Sequence, residues 1–311
     1  MNIAITGGSG FIGQNLLNSL EKMNGLNLIL IQRKLSTKSI HNELTFEDFF
    51  NVRAHKKIDL FIHLASPNFD KEIKNELKNG IIELTKKILN VLPKYNCNRF
   101  IFFSSIKVYG ESSKENIIFS EHNEPNPSSD YAKAKLKAEN IVKKISKKND
   151  INFLIYRLSF VFGKKMKSNI GLITKLMDYS IPLIAFNEKL NLKKSFLYID
   201  NLKQIIAFNI LNIESINNEI INLSDTEPLS LSEFIRSYKK NIKSKSLIIN
   251  LNATLFKIFL KIPIISNLIL KIFGSFQVDN KKIKTILNED IISTNEGIKR
   301  FIEERNNDKY F

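Results

Sequence analysis

The sequence predicts an α/β protein built on a doubly wound parallel sheet, and three observations predict it. Short apolar runs alternate with helical stretches through the first half of the chain, the pattern of a parallel sheet covered by helices on both faces. A glycine-rich turn, Thr6-Gly7-Gly8-Ser9-Gly10-Phe11-Ile12-Gly13, joins the first apolar run to the first helical stretch. Further on, Tyr131 and Lys135 stand four residues apart at the start of a long helical stretch.

The elements follow in order. Asn2 to Thr6 reads as a buried strand, and the apolar spacing from Phe11 predicts a helix over 11–23. Strands are expected at 27–32, 58–64, 99–104 and 151–157, and helices near 71–92 and 129–148. Thr45-Phe-Glu-Asp48 resembles a capping box opening a short helix, with an abbreviated strand over Ile40 to Leu44 before it. Ser128-Ser129-Asp130, behind Pro127, supplies an N-cap for the helix that bears Tyr131. After Gly163 the pattern loosens, to a helix at 169–179, a strand at 195–199, a helix at 200–211 and a strand at 219–223. Lys193 to Leu211 is expected to return to the first sheet. The fold is then a Rossmann-type dinucleotide-binding domain over 1–163 plus about 193–224. A smaller, discontinuous substrate-binding part takes about 164–192 plus 225–311.

The most apolar segment, Ala253 to Phe276, is interrupted by Lys257, Lys261 and Lys271 and cannot form one helix through Pro263. Its uncharged runs are too short to span a bilayer. A pair of helices packed over the substrate is the favoured reading, and an amphipathic helix on the inner membrane leaflet stays open.

With 311 residues the chain can bury a sizeable core. Its net charge of +16 invites an acidic partner, but only seven of the 47 basic residues are arginine and the lysines form no dominant block. Solvated lysine enrichment is therefore preferred, and no nucleic acid is expected. The one cysteine, Cys97, forms no internal disulfide and is read as structural, in keeping with a reducing cytoplasm. The four histidines lack metal-ligand spacing, so no metal is expected. No charged leader is read before Asn2, and a cytoplasmic location is expected, with a peripheral one at the inner membrane face kept open. A Ser105/His122 hydrolase is disfavoured because Ser105 lacks a G-x-S-x-G elbow.

The chemistry lies in two places. In the glycine turn, Gly7 suits the tight bend, Gly10 lets backbone approach a pyrophosphate, and Gly13 lets helix and strand pack closely. The helix N-terminus there offers unpaired N–H groups to phosphates. Tyr131 and Lys135 share a helix face, and an ammonium near a phenol lowers a pKa of about 10, tuning the Tyr as a general base. Ser104-Ser105-Ile106-Lys107-Val108-Tyr109-Gly110 follows the apolar run Phe100 to Phe103, which places a serine hydroxyl at a strand's C-terminal end, where open α/β sheets bind ligands.

These motifs, with His63-Leu64-Ala65-Ser66 and Arg157-Leu-Ser-Phe-Val-Phe-Gly163, resemble those of extended short-chain dehydrogenases/reductases in order and spacing. The resemblance is to the NAD-dependent epimerase/dehydratase family that acts on nucleotide sugars, and it covers nearly the whole chain. Ser-Ser-Ile-Lys-Val, Lys194-Ser195-Phe-Leu-Tyr-Ile-Asp-Asn-Leu202 and Phe273-Gly-Ser-Phe-Gln-Val-Asp279 look most like bacterial 4-ketoreductases and epimerases of UDP-N-acetylhexosamine derivatives in surface-polysaccharide pathways.

The resemblance implies that Tyr131 exchanges the O4 proton, that Lys135 holds the nicotinamide ribose, and that Ser105, or alternatively Ser104, bonds the reacting oxygen. It places Gly7, Gly10, Phe11, Ile12, Gly13, Gln32, Arg33, Leu64 and Ala65 at the cofactor, and Lys107, Asn169 and Lys194 at a nucleoside-diphosphate sugar. Lys194 stands where relatives carry an Arg, so the charge is kept and the bidentate fork is lost. Leu158 replaces a proline common near the nicotinamide. The 4,6-dehydratases carry an Asp-Glu pair where this chain has Ile106 and Lys107, so dehydration is disfavoured.

The second strand ends Ile31-Gln32-Arg33-Lys34, without the acid that would take the ribose 2′-OH of NAD and with cations suited to the 2′-phosphate of NADP. The expectation is an NAD(P)-dependent enzyme using NADP(H) or NAD(H), leaning to reduction of a UDP-4-keto-hexose. A UDP-hexose 4-epimerase with tightly bound NAD is the alternative. A non-catalytic RNA-binding or scaffold relative is disfavoured because Ser105, Tyr131 and Lys135 are all present. Many relatives dimerise through the Tyr helix, which leaves a homodimer open.

Overall fold

The computed structural model describes residues 1–35, 41–52, 57–65, 74–166, 169–187, 190–242, 245–287 and 290–308. The first elements are β1 (Asn2–Thr6), α1 (Phe11–Leu20), β2 (Asn27–Gln32), β3 (Asn42–Thr45), α2 (Phe46–Phe50), β4 (Leu60–His63), α3 (Lys74–Val91), β5 (Arg99–Ser105) and β6 (Ile118–Phe119). They are followed by α4 (Asp130–Asn149), β7 (Asn152–Leu158), β8 (Phe160–Phe162), α5 (Asn169–Asp178), β9 (Leu183–Phe186), β10 (Phe196–Tyr198), α6 (Ile199–Leu211) and β11 (Glu219–Leu223). The chain closes with α7 (Leu231–Ile242), β12 (Ile248–Leu251), α8 (Ala253–Leu260), α9 (Pro263–Phe273), β13 (Gln277–Val278), α10 (Lys281–Leu287) and α11 (Thr294–Asp308).

A seven-stranded sheet runs in the order β11-β7-β5-β4-β1-β2-β3. β1 pairs in parallel with both β2 and β4, β2 with β3, and β4 with β5. Its central strands carry apolar residues on both faces because helices cover both, and Ile3, Ala4, Ile5, Leu60, Phe61 and Ile62 are all fully buried. On one face Ala4, Phe61, Phe100 and Phe102 meet Ile88 of α3 and Ala134, Ala138 and Val142 of α4. The alanines keep α4 close to the sheet, and that closeness fixes where its Tyr131–Lys135 face lies. The chain leaves β1 toward β2 and β3 on one side and resumes on the other at β4, so the order reverses between β1 and β4. Ligands of open α/β sheets bind at such a switch point.

The chain divides into two compact units. The first comprises 1–110, 124–157 and 203–221 and holds the sheet and its helices; the second comprises 111–123, 158–202 and 222–311. In the second unit three short parallel pairs form, β8 with β10, β9 with β12, and β6 with β13. Phe196 of β10 stacks on Phe234 of α7 at 5.0 Å, and Phe162 meets Phe234 edge-on at 5.5 Å. A buried carboxylate ties this unit together: Asp225 accepts hydrogen bonds from Tyr198 N at 2.8 Å, Asn201 Nδ2 at 2.7 Å and Thr294 Oγ1 at 3.0 Å.

The predicted elements of the first unit appear within a few residues of their expected bounds, and α3 begins at Lys74 because 71–73 lie outside the described residues. The expected short strand forms as β3, Ile40 lying outside the described residues, and Thr45 caps α2 by accepting from Asp48 N at 3.0 Å. Of the expected return of Lys193–Leu211 to the first sheet, the β10 part is corrected: β10 pairs with β8 in a sheet of its own, where Phe196 has an aromatic core to enter, while 203–211 cluster with the first unit. Residues 111–123 and 158–202 accordingly cluster with the second unit. Cys97 is buried, its thiol pushed up to about 12 by that burial, which suits a structural residue. Among the described residues no group of His, Cys, Asp and Glu is arranged to hold a metal, and no helix is long and apolar enough to cross a membrane.

Candidate active site

The glycine turn sits at the C-terminal end of β1, against the end of β4. Gly7 adopts φ +79°, and a Cβ there would lie 2.7 Å from Ala65 N and 2.9 Å from the Leu64 carbonyl carbon. Only glycine meets both demands, left-handed backbone and contact with the neighbouring strand. A Cβ on Gly13 would fall 2.2 Å from Gly7 O, so α1 packs on the turn without room for a methyl group. Gly10 differs: its Cβ would touch only Gly7 O, at 3.3 Å, and otherwise enter open space. That space is a cradle which a side chain would fill.

Gly10 is also the N-cap of α1; it has no side-chain cap, and the first turn holds no carboxylate. The N–H groups of Phe11, Ile12 and Gly13 therefore lack intrahelical partners and sit at the positive end of a ten-residue helix. This donor set fits the pyrophosphate of a dinucleotide.

A buried network holds β1 against β4 beside the turn. Thr85 Oγ1 donates to Ile81 O at 2.8 Å, so at 3.2 Å it accepts from His63 Nε2–H. His63 Nδ1 then accepts from Thr6 Oγ1 at 2.7 Å, and Thr6 in turn accepts from Ala65 N at 3.3 Å. Burial pushes His63 down to about 3, with the Lys135 charge adding to the effect, so the ring is neutral. The histidine's role is to lock the tips of two strands, which the motif around Leu64 and Ala65 gave no direct sign of.

The second half of the site is built on β5 and α4. Ser129 caps α4, accepting from Ala132 N at 3.4 Å. Its buried face carries Tyr131, Lys135 and Glu139 at four-residue intervals. Ser105, half-buried where β5 ends, hydrogen-bonds the Tyr131 hydroxyl and accepts from Lys107 N at 3.3 Å. Ser104 points elsewhere: its hydroxyl donates to Glu139 Oε1 at 2.5 Å. Of the two serines, Ser105 is the one joined to Tyr131.

Lys135 is almost wholly buried and donates from Nζ to Phe103 O at 2.8 Å, with Nζ 4.9 Å from the Phe102 ring centroid and 5.9 Å from that of Tyr131. Burial draws its pKa down to about 8, which the negative charge of Glu139 partly offsets. Tyr131 is pushed up to about 12, by burial first, with the Ser105 hydrogen bond pulling the other way. The expected lowering of Tyr131 by Lys135 is thus replaced by a rise. The physical reasons are desolvation of the phenol and an ammonium turned toward a carbonyl.

Sequence reasoning missed Glu139 as a site residue. It is fully buried and receives Arg157 in a bidentate pair, Nε at 3.1 Å and Nη2 at 2.7 Å. Arg157 also donates to Tyr109 Oη at 2.8 Å. This cluster anchors the end of β5 and the serine turn to α4. The signal was available, since Glu139 follows Lys135 by one helical turn.

The other predicted residues fall as follows. Gln32 ends β2 half-buried, with Arg33 and Lys34 exposed beyond it. Ile106 is buried and Lys107 half-buried in the short turn after Ser105. Asn169 begins α5 in the second unit. Lys194, also there, is 4% exposed; Nζ donates to Ser112 Oγ at 2.8 Å and to Lys271 O at 3.4 Å and lies 5.0 Å from the Phe160 ring centroid.

The comparisons with known proteins agree with this geometry. The chain is 26% identical to the UDP-glucose 4-epimerase of Vibrio cholerae over 302 residues, 92% of this chain and 89% of that protein. Its fold is similar to that of UDP-glucose 4-epimerase from Thermotoga maritima with UDP-glucose, at TM-score 0.77 and 20% identity, covering 99% of this chain and 100% of that one. It is also similar to UDP-glucuronic acid 4-epimerase from Bacillus cereus in complex with UDP-glucuronic acid and NAD, at TM-score 0.76 and 21% identity, covering 97% and 98%. A sequence model of the NAD dependent epimerase/dehydratase family matches residues 3–224, and the chain belongs to that family of NAD(P)-dependent enzymes.

Proposed function

We propose that the protein is a 4-epimerase of a nucleoside-diphosphate hexose, UDP-linked, that works with a retained NAD. The observation that carries this reading is the Ser105–Tyr131 hydrogen bond at the C-terminal end of β5, with Lys135 one helical turn on. The glycine cradle belongs to the same unit. The relatives named above support inversion at C4, and they favour it over the reduction to which Gln32-Arg33-Lys34 leaned.

NAD, when bound, supplies a reversible two-electron acceptor. The N–H groups of Phe11, Ile12 and Gly13 hold its pyrophosphate, with Gly7 and Gly10 leaving room for it. Gln32, Leu64 and Ala65 border its remaining parts, and Lys135 holds a ribose hydroxyl. The positive charge of oxidised nicotinamide would oppose the burial that keeps the phenol protonated, so Tyr131 Oη could take the proton from the sugar's O4 and later return it, while Ser105 Oγ donates to the same oxygen and holds it in line. Lys107 lies close enough in sequence to Ser105 to meet the sugar, and Asn169 and Lys194 are assigned to the diphosphate. Lys194 brings a buried ammonium to that assignment, its Nζ donating to Ser112 Oγ at 2.8 Å. Dehydration lacks its acid and base, since Ile106 and Lys107 occupy their places.

A second reading is reduction of a UDP-4-keto-hexose, of the N-acetylhexosamine type, by exchanging NADP(H). The exposed Arg33 and Lys34 just past β2 favour it. Extraction of the purified protein separates the two. The epimerase is expected to yield bound NAD and to interconvert two UDP-hexoses without added reductant. A protein that binds NADP(H) reversibly and consumes it with a UDP-4-keto-hexose is the reductase. In either case the product class suits the supply of activated sugars for surface polysaccharide, in the cytoplasm.

A further inference from the structure

We propose that the outer face of the α8–α9 pair docks on an anionic lipid bilayer. The two helices meet at Pro263, which opens α9, and they share a small core in which Phe256, Ile269, Leu270 and Phe273 pack with Phe186. The side away from that core is apolar as well. Ile258 is 47% exposed, Ile262 43%, Ile264 87% and Leu268 58%, and α9 has no fully buried residue. Ile264, Leu268 and Lys271 follow at i, i+4 and i+7 along one helix face, and Lys257 and Lys261 flank the corner from α8. Each of these three lysines is exposed.

The surrounding sequence is charged in one sense only. No Asp or Glu occurs between Glu233 and Asp279, while eight Lys and Arg residues do. Three of these eight, Lys257, Lys261 and Lys271, lie on or beside α8 and α9. Apolar side chains at a helical corner, flanked by lysines in a stretch of sequence without acids, match an interfacial membrane site, in which aliphatic groups enter the headgroup boundary and lysines meet anionic lipid. A second copy of this chain fits worse, because its matching face would bring the same cations together. Nucleic acid fits worse too: bases stack on exposed aromatic rings, and the exposed face here is aliphatic. No helix in this region is long enough to cross a membrane, so the contact is peripheral.

The test is flotation of the full-length protein with unilamellar vesicles of phosphatidylcholine alone or mixed equally with phosphatidylglycerol. Binding is expected to the mixed vesicles and to be at least about tenfold weaker to phosphatidylcholine alone. Ile264→Asp with Leu268→Asp is expected to weaken binding at least about tenfold. Lys257→Gln with Lys261→Gln should weaken it about fivefold per lysine, with the loss shrinking in about 0.5 M salt. These positions are exposed and outside the catalytic unit, so far-UV circular dichroism and dinucleotide content should be unchanged in both variants. Absence of binding to the mixed vesicles overturns the proposal, as does full binding by both variants. Self-association that the aspartate variant abolishes, without vesicle binding, assigns the face to a second copy instead.

Discussion

Tyr131 and Lys135 stand in an order of acidity that an ammonium–phenolate pair does not allow: about 12 for the phenol and about 8 for the lysine. A difference titration at 295 nm between wild type and Tyr131→Phe, both stripped of dinucleotide, is therefore expected to show no tyrosinate from Tyr131 at pH 10, and a clear signal there would contradict the burial argument. Tyr131→Phe should lower turnover by about 10²–10⁴-fold with dinucleotide binding nearly intact. Lys135→Met should impair both. Lysine burial also has a sign in stability. Between about 8 and the ordinary lysine value of 10.5 the unfolded chain holds a proton that the folded one has lost. Stability contributed at this site therefore rises with pH across that window, and Lys135→Met removes the rise, as chemical denaturation at several pH values would show. The buried pair gives a larger effect: Glu139→Ala strands Arg157 and should cost about 3–5 kcal/mol. Tyr131, Lys135 and the serine pair were legible because their spacing is local. The preference for Ser105 over Ser104 came from the resemblance, while its physical reason, Glu139 taking the Ser104 hydroxyl, lies on another element.

The glycine turn shows what an element imposes on its residues. Gly10→Val is expected to abolish dinucleotide binding and leave the fold intact, since the side chain enters the open cradle. Gly13→Ala is expected to act differently, because its methyl carbon meets backbone at 2.2 Å and must separate α1 from the turn. Thermal melting should fall for Gly13→Ala and not for Gly10→Val. Equal melting points would mean that the turn is looser than its contacts require. The strands of the parallel sheet were readable because burial on both faces makes each a continuous apolar run. β6, β8, β9, β10, β12 and β13 have two to four residues each, too few for a period to appear, and their pairing is settled by distant partners such as Phe276 and Phe234. Of these, only β10 was anticipated, and in the wrong sheet.

For the molecule as a whole, the first unit was legible through local pattern and the second only through long-range contacts. Asp225 illustrates the second case: nothing beside it in sequence announces that it accepts from Tyr198, Asn201 and Thr294. Asp225→Ala leaves those donors buried without their acceptor and should cost at least about 3 kcal/mol in chemical denaturation. The family, the fold and the nicotinamide dependence were present in the motifs. The direction of chemistry was not, because Arg33 and Lys34 read equally as phosphate ligands or as solvated cations. The central claim is that Tyr131 moves a proton at oxygen, within a C4 inversion that needs no outside reductant. The most direct measurement is proton NMR of UDP-glucose or UDP-N-acetylglucosamine incubated with the purified protein in D2O. The account predicts the C4 epimer, with its C4 and C5 hydrogens still protium. Deuterium at either carbon, or no epimer until NADPH and a 4-keto sugar are supplied, would contradict it.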